Sequence, residues 1–157
     1  HGFFSNICCL RPDSRGEVRA RSTDPFEAPA IHTNFLSQES DVRTIREGVK
    51  IVRKVFSQSA FDALRGAELS PGPERKTDDD LDVWIRETAE TIFHAVGTCK
   101  MGPASDVNAV VDSELKVRGI DSLRVIDASI MPTLISANTN APVIMIGEKG
   151  ADFILSS

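Results

Sequence analysis

The segment TIFHAVGTCKMG, residues 91–102, contains the first side chain whose type and surroundings could support chemistry. An imidazole titrates close to neutral pH, so His94 could act as a general acid or base. Taken alone, the segment favours a hydrogen-bonded core histidine beside the bend that follows. A zinc site shared with Cys99 has less support, since His1 and His32 lie in unrelated segments.

The second candidate is SANTNAP, residues 136–142, just ahead of a predicted helix. Asn138 and Asn140 could simply bond to local backbone as loop and capping residues. Alternatively, a loop at a helix N-terminus presents amides to an anionic or electron-rich ligand, and Asn138 could orient a substrate oxygen beside the histidine. A third segment, LRVIDASIMP, reads as a strand ending in Asp127 and Ala128, where α/β proteins place ligands.

Two helices are predicted ahead of the histidine. From Ser40 to about Gln58, apolar residues recur at spacings of three and four, which is typical of an amphipathic helix. A second helix is predicted in residues 77–93, with Thr77 as N-cap and three aspartates favouring the helix dipole; a metal site at these aspartates is a much weaker alternative. The predicted inner faces comprise Val42, Ile45, Val49, Val52 and Phe56 in the first helix, and Leu81, Trp84, Ile85 and Thr88 in the second.

Strands and turns are predicted for most of the remaining chain. Residues 1–10 and EVRARS indicate a loosely closed hairpin, and the proline-containing stretch 23–37 is predicted to be irregular. Short strands are predicted at AVVD, LKVRG and LRVIDA, and VIMIGEKGADFIL predicts a closing helix just after Pro142. This order predicts an α+β fold with an antiparallel sheet covered by helices.

Composition limits the classes of partner. A net charge of -5 without a basic stripe argues against nucleic acid as a partner. No apolar run is long enough to span a bilayer, and the pattern of a secretory signal is missing. Three cysteines without a CxxC motif favour a reducing compartment, so we expect a cytoplasmic protein or one peripheral to the inner membrane. The strand-like start without a methionine leads us to expect a piece of a longer protein.

Together, HAVGTCKMG, GIDSLRVIDASIMPT and SANTNAPVIMIGEKGAD, in this order and spacing, resemble the C-terminal part of the GMC (glucose–methanol–choline) oxidoreductases. Upstream, RPDSRGEVRARSTDPFEAPAIHTNFLS resembles the substrate domain of bacterial choline dehydrogenase-like members. The resemblance covers essentially the whole chain. It implies that residues 1–93 form a portion of the substrate-binding domain. Residues 94–157 would then carry the catalytic His/Asn segment and the strands and helix that complete an FAD-binding domain.

The resemblance also implies a reaction. His94 matches the family's catalytic base, and Asn138 matches the residue that pairs with it across the substrate oxygen. The base would take the hydroxyl proton of a choline-like or other primary alcohol while a hydride passes from the carbinol carbon to the flavin. Asn138 would orient the forming alkoxide. The residues that match flavin-facing positions are Asp127 and Ala128, near the phosphate and ribityl groups, and Asn140, Ala141 and Pro142, along the isoalloxazine ring.

Partners follow from the same resemblance. FAD would be bound mainly by an N-terminal part that carries a G-x-G-x-x-G motif, which this sequence lacks. The chain alone is therefore expected to be inactive, and its uncovered apolar surface could drive oligomer formation. The whole enzyme would use an alcohol, FAD and an electron acceptor, either oxygen or a quinone. Two alternatives stay open: a non-redox lyase of the same family, and a free-standing binding module without catalytic activity.

Overall fold

The computed structural model describes residues 2–156, so the predictions that include residues 1 and 157 reach one position beyond it at each end. The described residues form two compact units. The first takes in the chain up to Gly16 together with His32–Glu90, and the second takes in Glu17–Ile31 and the chain from Thr91 onward. Within residues 2–156, no helix has the length and apolar character needed to cross a membrane.

The first unit is built on two helices that pack against each other. Helix α1 spans Glu39–Phe56 and helix α2 spans Asp78–Thr88. Both predicted helices are confirmed, although α2 ends at Thr88 and does not continue to residue 93. The side chains that are buried between them come from the predicted apolar faces: Val42, Val49, Leu81 and Ile85.

Thr88 departs from its predicted place on the inner face of α2. Its side chain is exposed, and its hydroxyl donates to the carbonyl of Trp84 at 2.7 Å. Because α2 ends at this residue, the hydroxyl satisfies its bond within the helix and leaves the core to apolar neighbours. Trp84 itself is half-buried.

A capping box fixes the start of α2. The backbone N–H of Asp80 donates to the Thr77 hydroxyl at 3.1 Å, and the Asp80 carboxylate accepts from the Thr77 N–H at 2.9 Å. The predicted N-cap is confirmed. Asp78 forms an ion pair with Lys50 of α1 at 2.8 Å. Asp78 and Asp80 thus each have a structural partner, in an ion pair and in the capping box. Residues 2–156 contain no group of three or more metal-binding side chains.

The segment of residues 2–10 forms no strand, so the predicted hairpin with EVRARS is wrong over the described residues. The ring of Phe3 packs edge-on against Phe56 of α1, with centroids 4.8 Å apart. Ile7 lies so close to Gly48 that a Cβ on that glycine would overlap it. Phe3 and Ile7 therefore find their partners on α1 and not in a strand ladder.

The sheet has two antiparallel strands, β1 at Glu17–Arg19 and β2 at Ala30–His32. Strand β2 lies in the stretch that was predicted to be irregular, and this is a correction. Pro25 and Pro29 precede β2, so they leave its backbone groups free to pair. The α+β class is confirmed, while the sheet is smaller than expected and β1 is exposed along its length.

The second unit is organised around one apolar cluster. Helix α3 spans Asn140–Leu155, and a 3₁₀ helix spans Ala128–Ile130. Helix α3 contains the predicted closing helix and begins earlier, so Pro142 lies in its first turn, where its missing N–H costs no hydrogen bond. The buried members of the cluster are Val111, Leu115, Ile130, Met131 and Ile146.

Between residues 101 and 124 the chain makes isolated β-bridges where short strands were predicted. Leu115, Gly119 and Ser122 have φ values of 65°, 78° and 59°. These left-handed residues turn the chain every few positions, so no run stays extended long enough for a regular strand. The bridges join Met101 with Val111, Val111 with Val117, and Lys116 with Arg124.

Candidate active site

His94 lies in the irregular segment that opens the main part of the second unit, and it is half-buried. The residue before it, Phe93, has a left-handed backbone with φ 61° and a side chain that is 88% exposed. Left-handed geometry is uncommon for a bulky residue, and here it turns the Phe93 ring outward just ahead of the histidine. Gly97 follows with φ 86°, a conformation that glycine adopts without a Cβ clash.

Backbone hydrogen bonds hold the histidine segment against the 3₁₀ helix. The N–H of Cys99 donates to the carbonyl of Ser129 at 3.0 Å, and the N–H of Met101 donates to the carbonyl of Ile130 at 2.7 Å. Ile130 is buried in the apolar cluster. The turn after His94 is therefore anchored to the core of the unit.

Both ring nitrogens of His94 face residues that directly precede α3. Nε2 lies 3.4 Å from Oδ1 of Asn138, and Nδ1 lies 3.2 Å from Oγ1 of Thr139. Asn138 is exposed and Thr139 is buried, so the Nε2 side of the ring is the more open one. The sequence segments that carry His94 and Asn138, 44 positions apart, thus meet in one place.

Helix α3 fixes the position of this pair of residues. The carbonyl of Thr139 accepts from the N–H of Val143 at 3.0 Å, which ties Thr139 to the first turn. Further along the helix, Ile146 and Gly150 are buried. Because α3 is held by its packing, Asn138 and Thr139 are placed by a rigid element rather than by a loop alone.

Asp127 and Ala128 lie at the start of the 3₁₀ helix. The exposed carboxylate of Asp127 accepts from the N–H of Ser129 at 2.7 Å and caps this short helix. Ala128 is half-buried and packs against the apolar cluster. Their present contacts are local, and their predicted role toward the flavin stays a prediction.

The other predicted flavin-facing residues begin α3. Asn140 and Ala141 are exposed, and Pro142 is half-buried. The side chain of Thr139, the residue before α3, makes no capping bond to the helix, because its backbone is helical and its hydroxyl lies near His94. The exposed first turn thus presents backbone amides and small side chains, which suits the approach of an electron-rich group.

An ion pair closes the loop that follows the histidine turn. Lys100 Nζ donates to Oδ2 of Asp106 at 2.7 Å. This bond, together with one from the N–H of Asn108, holds the pKa of Asp106 below its ordinary value. The loop is thereby fixed by charge as well as by backbone hydrogen bonds.

Thr139 is the residue of this site that the sequence did not single out. A threonine just before a helix is typical of an N-cap, and that ordinary interpretation hides its contact with His94. The one available signal was its place between Asn138 and Asn140, which were both chosen as candidates.

The chain is similar to proteins of one known family. Residues 12–147 match the family model described as GMC oxidoreductase. An oxygen-dependent choline dehydrogenase of Escherichia coli is 51% identical over 154 residues, which cover 98% of this chain and 27% of that protein. The chain thus spans little more than a quarter of the length of this curated relative.

Two solved structures share the fold of the chain. The pyridoxine 4-oxidase from Mesorbium loti matches 91% of this chain and 28% of its own with a TM-score of 0.83 at 32% identity. A fungal aryl-alcohol oxidase matches 94% of this chain and 24% of its own with a TM-score of 0.81 at 30% identity. Both likenesses extend over more than nine-tenths of the chain.

Proposed function

Because the chain belongs to the GMC oxidoreductase family, we propose that it forms the C-terminal part of an FAD-dependent oxidoreductase that oxidises the CH–OH group of an alcohol. The observation that carries this proposal is the placement of His94 Nε2 at 3.4 Å from the Asn138 amide, on the open side of the ring. A proton acceptor and a hydrogen-bonding amide that converge on one point suit an alcohol oxygen.

His94 is the proposed base. Its Nε2 atom would receive the hydroxyl proton, since the opposite nitrogen already faces the buried Thr139 hydroxyl. Asn138 cannot accept a proton, so its amide would hold the oxygen and stabilise negative charge as it develops. The two residues thus divide the work into proton uptake and orientation.

The residues of the second unit fit a flat aromatic cofactor. Phe93 is 88% exposed, and Ile144 and Met145 of α3 are 58% and 57% exposed, which leaves apolar surface uncovered in this unit. The first turn of α3, which the Thr139 side chain does not cap, adds backbone amides. FAD, when bound, supplies the acceptor for the two electrons removed from the alcohol. The residues that would contact it are Asp127, Ala128, Asn140, Ala141 and Pro142.

The substrate is proposed to be a choline-like or other primary alcohol, with oxygen or a quinone as the final electron acceptor. The support is the similarity of the chain to a choline dehydrogenase and an aryl-alcohol oxidase. FAD would be held mainly by a part of the enzyme that precedes this chain. The location is proposed to be cytoplasmic or peripheral to the inner membrane, and the exposed apolar surface could form oligomers when the chain stands alone.

Mutation of His94 in the full-length FAD-loaded enzyme tests the proposal. We expect His94→Ala to lower kcat for alcohol oxidation by at least about a hundredfold, the usual contribution of a general base. His32→Ala is the matched control, because His32 is exposed in β2. Near-normal turnover of His94→Ala would show that another residue is the base.

The same assay separates the alternative functions. Turnover of an alcohol that requires an electron acceptor supports the oxidoreductase, whereas cleavage of a cyanohydrin without an acceptor would support a lyase. A chain that binds a partner protein and shows neither activity in its full-length form would support the binding module.

A further inference from the structure

Thr139 occupies the position that normally caps α3, yet it does not cap the helix. Its backbone is already helical, with φ -82° and ψ -11°, and its side chain makes no capping bond. A capping residue normally has an extended backbone that turns the side chain back toward the first amides. The Thr139 hydroxyl lies instead 3.2 Å from Nδ1 of His94.

We propose that Thr139 is a positioning residue that holds neutral His94 in the form protonated at Nδ1. In this arrangement Nδ1–H donates to the Thr139 hydroxyl oxygen, and the lone pair of Nε2 faces the side-chain amide of Asn138. The NH₂ group of that amide donates to the lone pair when the amide is turned end for end, and its Oδ1 atom faces Nε2 once the ring is protonated. The proposal rests on the proposed function, because a base that acts through Nε2 must carry its proton on the other nitrogen. A threonine hydroxyl can accept this bond.

The same contact serves His94 after it has taken up a proton. Both ring nitrogens of an imidazolium are donors, so each needs an acceptor. Thr139 Oγ1 accepts at Nδ1 in both states, and Asn138 Oδ1 lies 3.4 Å from Nε2, where it can accept in the charged state. The ring therefore gains a proton without rotating, which keeps its geometry constant through the reaction.

Burial and packing explain why Thr139 rather than the histidine segment would determine the ring orientation. Thr139 is only 8% exposed, and its carbonyl is bonded to Val143 within α3. His94, by contrast, follows the left-handed Phe93 in a segment without regular structure. The Thr139 hydroxyl therefore has a fixed position, and its hydrogen bond determines the orientation of the His94 ring.

Nuclear magnetic resonance of the 157-residue chain tests this without cofactor or substrate. With ¹⁵N-labelled histidine, long-range ¹H–¹⁵N correlations above the histidine titration range report which nitrogen carries the proton. We expect His94 to be protonated mainly at Nδ1, the less common form in free histidine. The exposed His32 provides an internal reference, and His94→Gln assigns the signal by its loss.

Variants of the hydroxyl identify its role. Thr139→Val keeps the shape of the side chain and removes the acceptor, so we expect His94 to shift toward the Nε2-protonated form. Thr139→Ser restores an acceptor and should restore the Nδ1-protonated form. Thr133→Val, at an exposed threonine of the same unit, should change nothing. An unchanged tautomer ratio in Thr139→Val would overturn the proposal.

The spectrum of the unmodified chain is decisive by itself if the valine variant fails to fold. A His94 ring protonated at Nε2 would mean that the Thr139 hydroxyl donates, and the proposal would fail. In the full-length FAD-loaded enzyme, Thr139→Val should lower kcat roughly tenfold with little change in KM, and Thr139→Ser should recover it. If the tautomer is as expected but His94→Ala keeps its activity, the positioning role stands and the proposed base is wrong.

Discussion

Gly150 of α3 lies directly against Ile126, and a Cβ on Gly150 would come within 2.8 Å of Ile126 Cδ1 and 3.1 Å of Cγ1. This close approach lets α3 sit deep on the apolar cluster. The same helix begins immediately after Asn138 and Thr139. The packing at Gly150 therefore also fixes how close these two residues lie to the apolar cluster.

A methyl group at this glycine should therefore destabilise the second unit. Gly147 offers a matched control in the same helix, since nothing lies within 4 Å of a Cβ placed there. Gly147→Ala should stabilise the chain by about 1 kcal/mol through helix propensity. The free energy of unfolding of Gly150→Ala should be about 1–3 kcal/mol lower than that of Gly147→Ala. Overpacking against Ile126 opposes the gain in helix propensity that both variants share. Urea unfolding of both variants measures the difference, and equal stabilities would contradict the packing argument.

Removal of the α2 cap gives a second prediction, for the first unit. Thr77→Ala leaves the N–H of Asp80 without its acceptor and should lower the free energy of unfolding by about 1 kcal/mol. Thr77→Ser keeps a hydroxyl at the same place and should retain most of the stability. Chemical unfolding of the three chains tests this, and a serine variant as unstable as the alanine variant would show that packing of the methyl group matters more than the cap.

Local signals explain why α1, α2 and the Thr77 cap were predictable from sequence. An apolar repeat of three and four residues and a Thr-Asp-Asp-Asp start each act within a few positions. The early end of α2 had no comparable signal. The residue types of positions 89–93 are compatible with a longer helix. However, Ala89 adopts an extended backbone, with ψ 133°, and this ends α2.

Tertiary contacts determined the features that the sequence did not predict. Residues 2–10 have the composition of a strand, but Phe3 and Ile7 pack on α1. This packing takes the place of pairing with a neighbouring strand. Strand β2 pairs with β1, although it lies in a stretch whose prolines predict an irregular conformation. At the site, Asn138 was chosen from sequence, whereas Thr139 was not, because its role depends on a histidine 45 positions away.

Replacement of Asn138 gives a third prediction, measured in the full-length FAD-loaded enzyme. Asn138→Ala removes the amide beside Nε2 of His94 and should lower kcat roughly a hundredfold, in line with the loss of one donor to a developing oxyanion. Asn138→Asp should be at least as damaging, because a carboxylate would repel the forming alkoxide. Asn108→Ala, at an exposed loop residue, is the control and should keep normal turnover. A normal kcat in Asn138→Ala would remove Asn138 from the site.

The buried carboxylate of Asp41 gives a fourth prediction, on pH. Asp41 is 2% exposed and accepts hydrogen bonds from the backbone N–H groups of Asp13 and Ser14, at 2.8 and 2.9 Å, and from the Ser14 hydroxyl. Burial acts to raise the pKa of Asp41, but these hydrogen bonds together outweigh it and hold the pKa below its ordinary value. The ionised carboxylate thus stabilises the contact of residues 13–14 with the start of α1.

A lowered pKa in the folded state fixes the sign of the pH dependence. The stabilisation by Asp41 is complete above the unfolded pKa of about 3.9 and is lost as the pH falls through the folded value. Asp41→Asn, whose amide NH₂ faces donors that need an acceptor, should lower the free energy of unfolding by about 1–3 kcal/mol at pH 7. This deficit should shrink as the pH falls below about 3.9, because the unfolded chain then binds a proton at Asp41 that the folded chain, with its lowered pKa, takes up only at lower pH. Asp79→Asn, at an exposed position of α2, should differ from the unmodified chain by only a few tenths of a kcal/mol at either pH. A deficit in Asp41→Asn that stays constant from pH 7 to pH 3 would show that the shape of the side chain, and not its charge, holds residues 13–14 to α1.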